Sequence, residues 1–204
     1  TISNASIRFS TDQGRTWSRS IQVPQWRGAN EVNLFRAGNG HLLAACRTDV
    51  PRRLTGKTLD HYEGLGVSIS RDNGLTWSAV RKIYDYGRHH QSLVLMPDKA
   101  IVMTYVVRLG YVDDKDGFPQ FGIEAMVSRD HGVTWDLDHR YLLHVWSGKR
   151  KGKTYWWPSS QATSSTLLPD GSILTVFGTG YRIQAGKDSP QAPRDAGLIK
   201  WRLN

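Results

Sequence analysis

Three eight-residue segments of this chain repeat one pattern, Ser-x-Asp-x-Gly-x-Thr-Trp: Ser10 to Trp17, Ser70 to Trp77 and Ser128 to Trp135. Their starts lie 60 and 58 residues apart. Five fixed positions recurring at a near-constant period mark stacked supersecondary units, each too small to bury a core of its own. Each position has a physical task in a hairpin turn. Ser and Asp side chains bond nearby backbone N–H groups, Gly supplies a positive φ, and Thr returns the chain to extended geometry. The Trp offers a large flat surface to bury between neighbouring sheets.

The residues between these turns read as strands. One unit has Val32 to Phe35, a turn at Ala37-Gly38-Asn39-Gly40, His41 to Arg47, Leu65 to Ser70 and, after the repeat, Val80 to Tyr84. The next has Ser92 to Met96, a turn at Pro97-Asp98-Lys99, Ala100 to Arg108 and Ile123 to Ser128. The last has Ser165 to Leu168, Pro169-Asp170-Gly171, Ser172 to Phe177 and Gly197 to Leu203. Four strands per unit make one propeller blade. Eight Trp, eight Tyr and 20 Gly among 204 residues agree with an all-β fold of short strands and tight turns. The expected division is a part blade over 1–26, blades over 27–88 and 89–146, and a terminal blade over 147–204. A closed propeller needs at least four blades and a protected seam, so the chain is expected to be the C-terminal part of a longer one.

Several function classes drop out. The lone Cys46, in an apolar run, permits no internal disulfide and reads as a small core residue. No run of about 18 apolar residues exists to span a membrane, and Thr1-Ile2-Ser3 does not read as a signal peptide, although a processed start would look the same. The formal charge of +9 favours anionic partners. Its one dense run, Lys149-Arg150-Lys151 with Lys153, comes without any nucleic-acid-binding signature and reads as a solvated loop, so nucleic acid is not expected. No cofactor is expected, and no metal site, because no third ligand stands at diagnostic spacing beside the adjacent histidines. The oligomeric state is not legible.

In a four-stranded antiparallel blade the tight turns and the repeats emerge on one face. The long connections emerge on the other: Gln25 to Glu31, Thr48 to Gly64, Tyr86 to Gln91, Leu109 to Phe121, Trp146 to Gln161 and Arg182 to Asp195. Long loops on one face of a rigid scaffold are where sites are built. Arg47, Arg108 and Arg182 each close a second strand, and Arg88 joins them, so their guanidinium groups can converge on a sugar carboxylate or pair with neighbouring acids. His89 and His90 precede an inner strand, near the axis, with one expected to face the channel as a general acid or base. Asp60 and Glu63 share a loop and can act as a carboxylate pair in glycoside hydrolysis, or be solvated charges. Trp156, beside Trp157, is a sugar-stacking platform or blade packing.

The repeat is the Asp box, and on it the chain resembles the sialidase (neuraminidase) superfamily of BNR-repeat β-propellers. That resemblance implies six blades, a secreted or periplasmic location, and a glycosidase acting on terminal acidic sugars. It also implies an Asp general acid, matched by Asp60 in the loop after Gly40 to Arg47. An Arg-Ile-Pro motif would fall at Asn30-Glu31-Val32, where no Arg stands. The nucleophilic Tyr would stand about seven residues before an inner-strand turn, where this chain has His90 and Ala162, leaving Tyr181 and Tyr155 as nearby candidates. Three functions stay open: a sialidase-like hydrolase on an acidic glycan, a propeller polysaccharide lyase on uronates, and a glycan-binding or protein-binding propeller without catalysis.

Overall fold

A computed structural model of the chain describes residues 2–54, 62–108, 121–146, 160–179 and 196–203. Those residues form antiparallel sheets in which each strand pairs with its neighbours along the chain. A hairpin of β1 (Asn4–Ile7) and β2 (Ile21–Arg27) flanks the first box. The first full sheet is β3 (Ala29–Arg36), β4 (Leu42–Thr48), β5 (Gly64–Ser70) and β6 (Arg81–Tyr84). The second is β7 (Arg88–Leu95), β8 (Ile101–Val107), β9 (Phe121–Ser128) and β10 (Tyr141–Trp146). A three-stranded sheet follows, β11 (Ser160–Leu167), β12 (Ile173–Thr179) and β13 (Ala196–Trp201). The sheets stack in chain order, and among the described residues they do not close into a ring. No helix among those residues is long and apolar enough to cross a membrane.

The boxes build one turn three times. In the second, Ser70 Oγ accepts from Gly74 N at 2.8 Å, while Asp72 Oδ1 accepts from Thr76 N at 2.9 Å and its Oδ2 from Thr76 Oγ1 at 2.5 Å. The first and third boxes repeat these bonds to within about 0.2 Å. Bonds from Thr and Ser hold Asp12 and Asp72 near pKa 2 and lower that of Asp130 against the effect of partial burial. Besides the expected Gly, the residue before it is left-handed too: Gln13, Asn73 and His131 have φ of 61°, 58° and 63°. Two successive left-handed residues suit a tight hairpin turn.

Alternation along the central strands sends side chains to both faces of each sheet, so each sheet shares a core with both neighbours. Leu43 and Ala45 of β4 join Ile101, Met103 and Tyr105 of β8 in one core. Ala44 and Cys46 face the other way, with Val23 and Trp26 of β2. Val94, Val102, Ala125 and Ile173 pack the second full sheet against the last. A fully buried side chain of this size contributes ~1.5–3 kcal/mol. Cys46 is the core residue its surroundings imply, with burial raising its thiol pKa to about 12. The box tryptophans divide. Trp77 and Trp135 are 6% and 8% exposed, each against the preceding sheet, and Trp77 meets Trp26 edge-on at 4.7 Å; Trp17 is 60% exposed.

Two connections expected to be long are strand instead. Only Gly28 separates β2 from β3, and β7 already includes Arg88, His89 and His90. A β-bulge interrupts both inner strands and breaks their apolar alternation, which therefore reads cleanly only from Val32 and Ser92 onward.

Candidate functional site

The bulge recurs in all three inner strands at the end away from the boxes. Pairing shifts by one residue between Asn30 and Asn33, between His89 and Ser92, and between Ser160 and Thr163. Counted back from the hairpin turns, Glu31, His90 and Ala162 occupy equivalent positions. Glu31 and His90 have φ of 47° and 55°, a backbone state that persists in non-glycine residues when the surroundings enforce it. The following blade supplies that support. Gln91 Nε2 donates to Glu31 O at 3.0 Å and to Ala45 O at 2.7 Å, and Thr163 Oγ1 donates to His90 O at 2.8 Å.

A cavity of about 350 Å³ opens over these bulges, lined by Glu31, Asn33, His90, Gln91, Ala162 and Thr163. Glu31 is its hub. One carboxylate oxygen lies 2.8 Å from His90 Nδ1 and the other 3.1 Å from Arg47 Nη2. Arg47 extends the network, with Nη1 3.0 Å from Glu63 Oε2 and Nε 2.6 Å from Asn30 Oδ1. Burial raises the Glu31 pKa, but the bond from His90 and the charges of His90, Arg47 and Arg108 outweigh it, so the net shift is downward. An ionised carboxylate only accepts hydrogen bonds, so His90 Nδ1 is the donor. With Nδ1 donating to Glu31, Nε2 is the ring nitrogen that can exchange a proton with a bound molecule.

Of the residues singled out in the sequence, four meet here: His90, Arg47, Glu63 and, through its charge on Glu31, the buried Arg108. His89 is fully buried, its ring 4.3 Å from that of His90. Arg88 is buried in an ion pair with Glu124 at 3.1 Å, its guanidinium 4.4 Å from the Tyr84 ring centre. Asp60, Tyr181, Trp156 and Arg182 lie outside the described residues. Glu31 is the residue that sequence reasoning passed over. It stands seven residues before Gly38, as His90 does before Pro97, and that shared offset was the available signal.

Ligand atoms of Glu31, His89 and His90 lie within 4.8 Å of one another. Both Glu31 oxygens already have cationic or N–H partners, so a metal ion there would have to displace His90 or Arg47 from the carboxylate.

The BNR/Asp-box repeat family model matches residues 8–19, the first box. Solved structures share the blades. A NanB sialidase variant from Streptococcus pneumoniae aligns at TM-score 0.57 and 18% identity, over 98% of this chain and 26% of its own. This chain resembles the sialidase superfamily. An α-L-arabinanase from Penicillium chrysogenum complexed with arabinobiose aligns at TM-score 0.56 and 18% identity, over 96% of this chain and 54% of the other. A protein of unknown function from Dyadobacter fermentans aligns at TM-score 0.62 and 19% identity, over 97% and 45%. The chain thus spans about a quarter to about half of these structures. No curated protein matches it.

Proposed function

We propose that this chain forms part of a sialidase-like glycoside hydrolase that acts on the terminal acidic sugar of a glycan. The observation that carries the reading is the Glu31–His90 pair, built on bulges of adjacent blades and flanked by Arg47 and Arg108. Glu31 fixes the His90 tautomer, and Nε2 moves a proton at the glycosidic oxygen or the attacking water. Arg47 and Arg108 supply the positive field for the sugar carboxylate. The proposed set also counts Asp60 as acid, Tyr181 as nucleophile, Trp156 for stacking and Arg182 for the carboxylate. The propeller in this reading is a longer, six-bladed one, divided within this chain at 26, 88 and 146. The exposure of Trp17, at a position where Trp77 and Trp135 are covered by a preceding sheet, supports it.

A second reading is favoured by one specific feature. A base at His90 Nε2 beside cationic Arg47 also suits proton abstraction next to a uronate carboxylate, giving elimination. Incubating the full-length protein with a sialoside and with a uronan separates the readings. Free sialic acid supports hydrolysis, and new unsaturated-uronate absorbance supports elimination. Glycan binding without either product would reduce the site to recognition.

A further inference from the structure

The residue after each of the last two bulges reaches back to the preceding blade. Gln91 follows His90, and its Nε2 donates to Glu31 O at 3.0 Å and to Ala45 O at 2.7 Å. Thr163 follows Ala162, and its Oγ1 donates to His90 O at 2.8 Å and lies 3.3 Å from Thr104 O. The two pairs of carbonyls are equivalent. Ala45 faces Asn33 and Thr104 faces Ser92, where pairing resumes two residues beyond the bulge. Each donor therefore grips the carbonyl of a bulge residue and one on the next strand, at the break in the ladder. Asn33 returns the grip, its Nδ2 donating to Gln91 O at 3.4 Å.

Packing alone does not account for these side chains. Gln91 is 5% exposed, and its Oε1 is buried without a partner among the described residues, a cost that an apolar residue of that length avoids. Its amide has two N–H donors, and the two carbonyls take them. A hydroxyl has one, which Thr163 shares between its pair. The gripped bulge carbonyls belong to Glu31 and His90, the two left-handed residues, whose φ of 47° and 55° needs outside support.

We infer that Gln91 and Thr163 are positioning residues: each, from the following blade, fixes the backbone that aims Glu31 or His90 into the cavity, and together they set the 2.8 Å contact of that pair. The inference rests on the Glu31–His90 reading above and adds what holds the pair in register across blade interfaces.

Carbon-13 NMR titration of the Glu31 carboxyl in the full-length protein tests it without any substrate. Burial raises that midpoint, and His90, Arg47 and Arg108 together hold it below the ordinary carboxylate value. Gln91→Met keeps the length without a donor or a charge, and Thr163→Val keeps the shape, so each should move the midpoint upward. Ser165→Ala is the control. It removes a 2.7 Å hydroxyl contact with Thr104 between β11 and β8, leaves both bulge carbonyls gripped, and should leave the midpoint in place. On a substrate that the protein turns over, Gln91→Met should lower kcat about ten- to a hundredfold with KM nearly unchanged. If Gln91→Met does not fold, Gln91→Asn, one methylene shorter, gives the same reading. An unchanged midpoint in folded Gln91 and Thr163 variants, an equal move in Ser165→Ala, or a rise in KM with kcat kept would each overturn the inference. A wild type without turnover would count against the proposed function, and the titration would still decide the role of Gln91 and Thr163.

Discussion

The two ends of each blade use repetition in opposite ways. At the box end the side chains repeat: Ser, Asp, Gly and Thr make the same bonds three times, to within about 0.2 Å. At the bulge end the backbone repeats while the side chains diverge, with Glu31, His90 and Ala162 at one equivalent position. A turn that must only close a hairpin keeps the residues that close it. A bulge that aims a side chain at a shared cavity is free to carry a different group in each blade, and an acid, an imidazole and a methyl group there line one cavity.

The sharpest way to break that contrast is to remove the diverged group. His90→Ala in the full-length protein should lower turnover by ~10²–10⁴-fold while the fold persists. Normal activity in a folded variant would take His90 out of the chemistry. Arg47→Lys comes next, because one ammonium cannot serve Glu31, Glu63 and Asn30 together as the guanidinium does. Losing charge-assisted bonds there should weaken turnover by about ten- to a hundredfold. An unchanged rate would mean that those pairs are structural only.

The box end should respond in stability instead. Gly132 has φ of 90°, and a β-carbon there would overlap Leu43 in the core, so Gly132→Ala should cost about 1–3 kcal/mol. At Gly14 the nearest atom to such a carbon is Trp17 Cζ2 at 3.7 Å, which leaves backbone strain alone and a smaller loss. Equal shifts in denaturation midpoint for the two would show that packing on the preceding blade adds nothing to the turn.

The same contrast explains what the sequence made legible. Box spacing and alternation in segments such as Leu42 to Cys46 locate the sheets, because those residues act through local bonds and period-two burial. The bulges defeat that periodicity, which is why Arg88 to His90 read as loop. Pairings across long separations also leave no local trace. Arg88 and Glu124 are 36 residues apart, and Glu31 meets His90 only because neighbouring blades stack. Glu31 was hidden further by standing where the family resemblance directs attention to a missing Arg.

The smallest effect expected is also a test of the box as a purely structural device. Asp12 and Asp72 are lowered from 3.8 to about 2 by bonds from Thr16, Ser10, Thr76 and Ser70. A carboxylate with a depressed native pKa adds stability that is fully present above its unfolded value and is lost as pH falls through the native one. The contribution should therefore hold down to about pH 4 and fade towards pH 2. Asp72→Asn removes the acceptor charge in one box, so the gap in stability between wild type and variant should be widest above pH 4 and narrow below it. Urea midpoints measured across that range check the sign. A gap that stayed constant with pH would mean that the Asp contributes its shape and neutral hydrogen bonds and not its charge, and a gap confined to turnover would place function at the end of the blade where all three copies are alike.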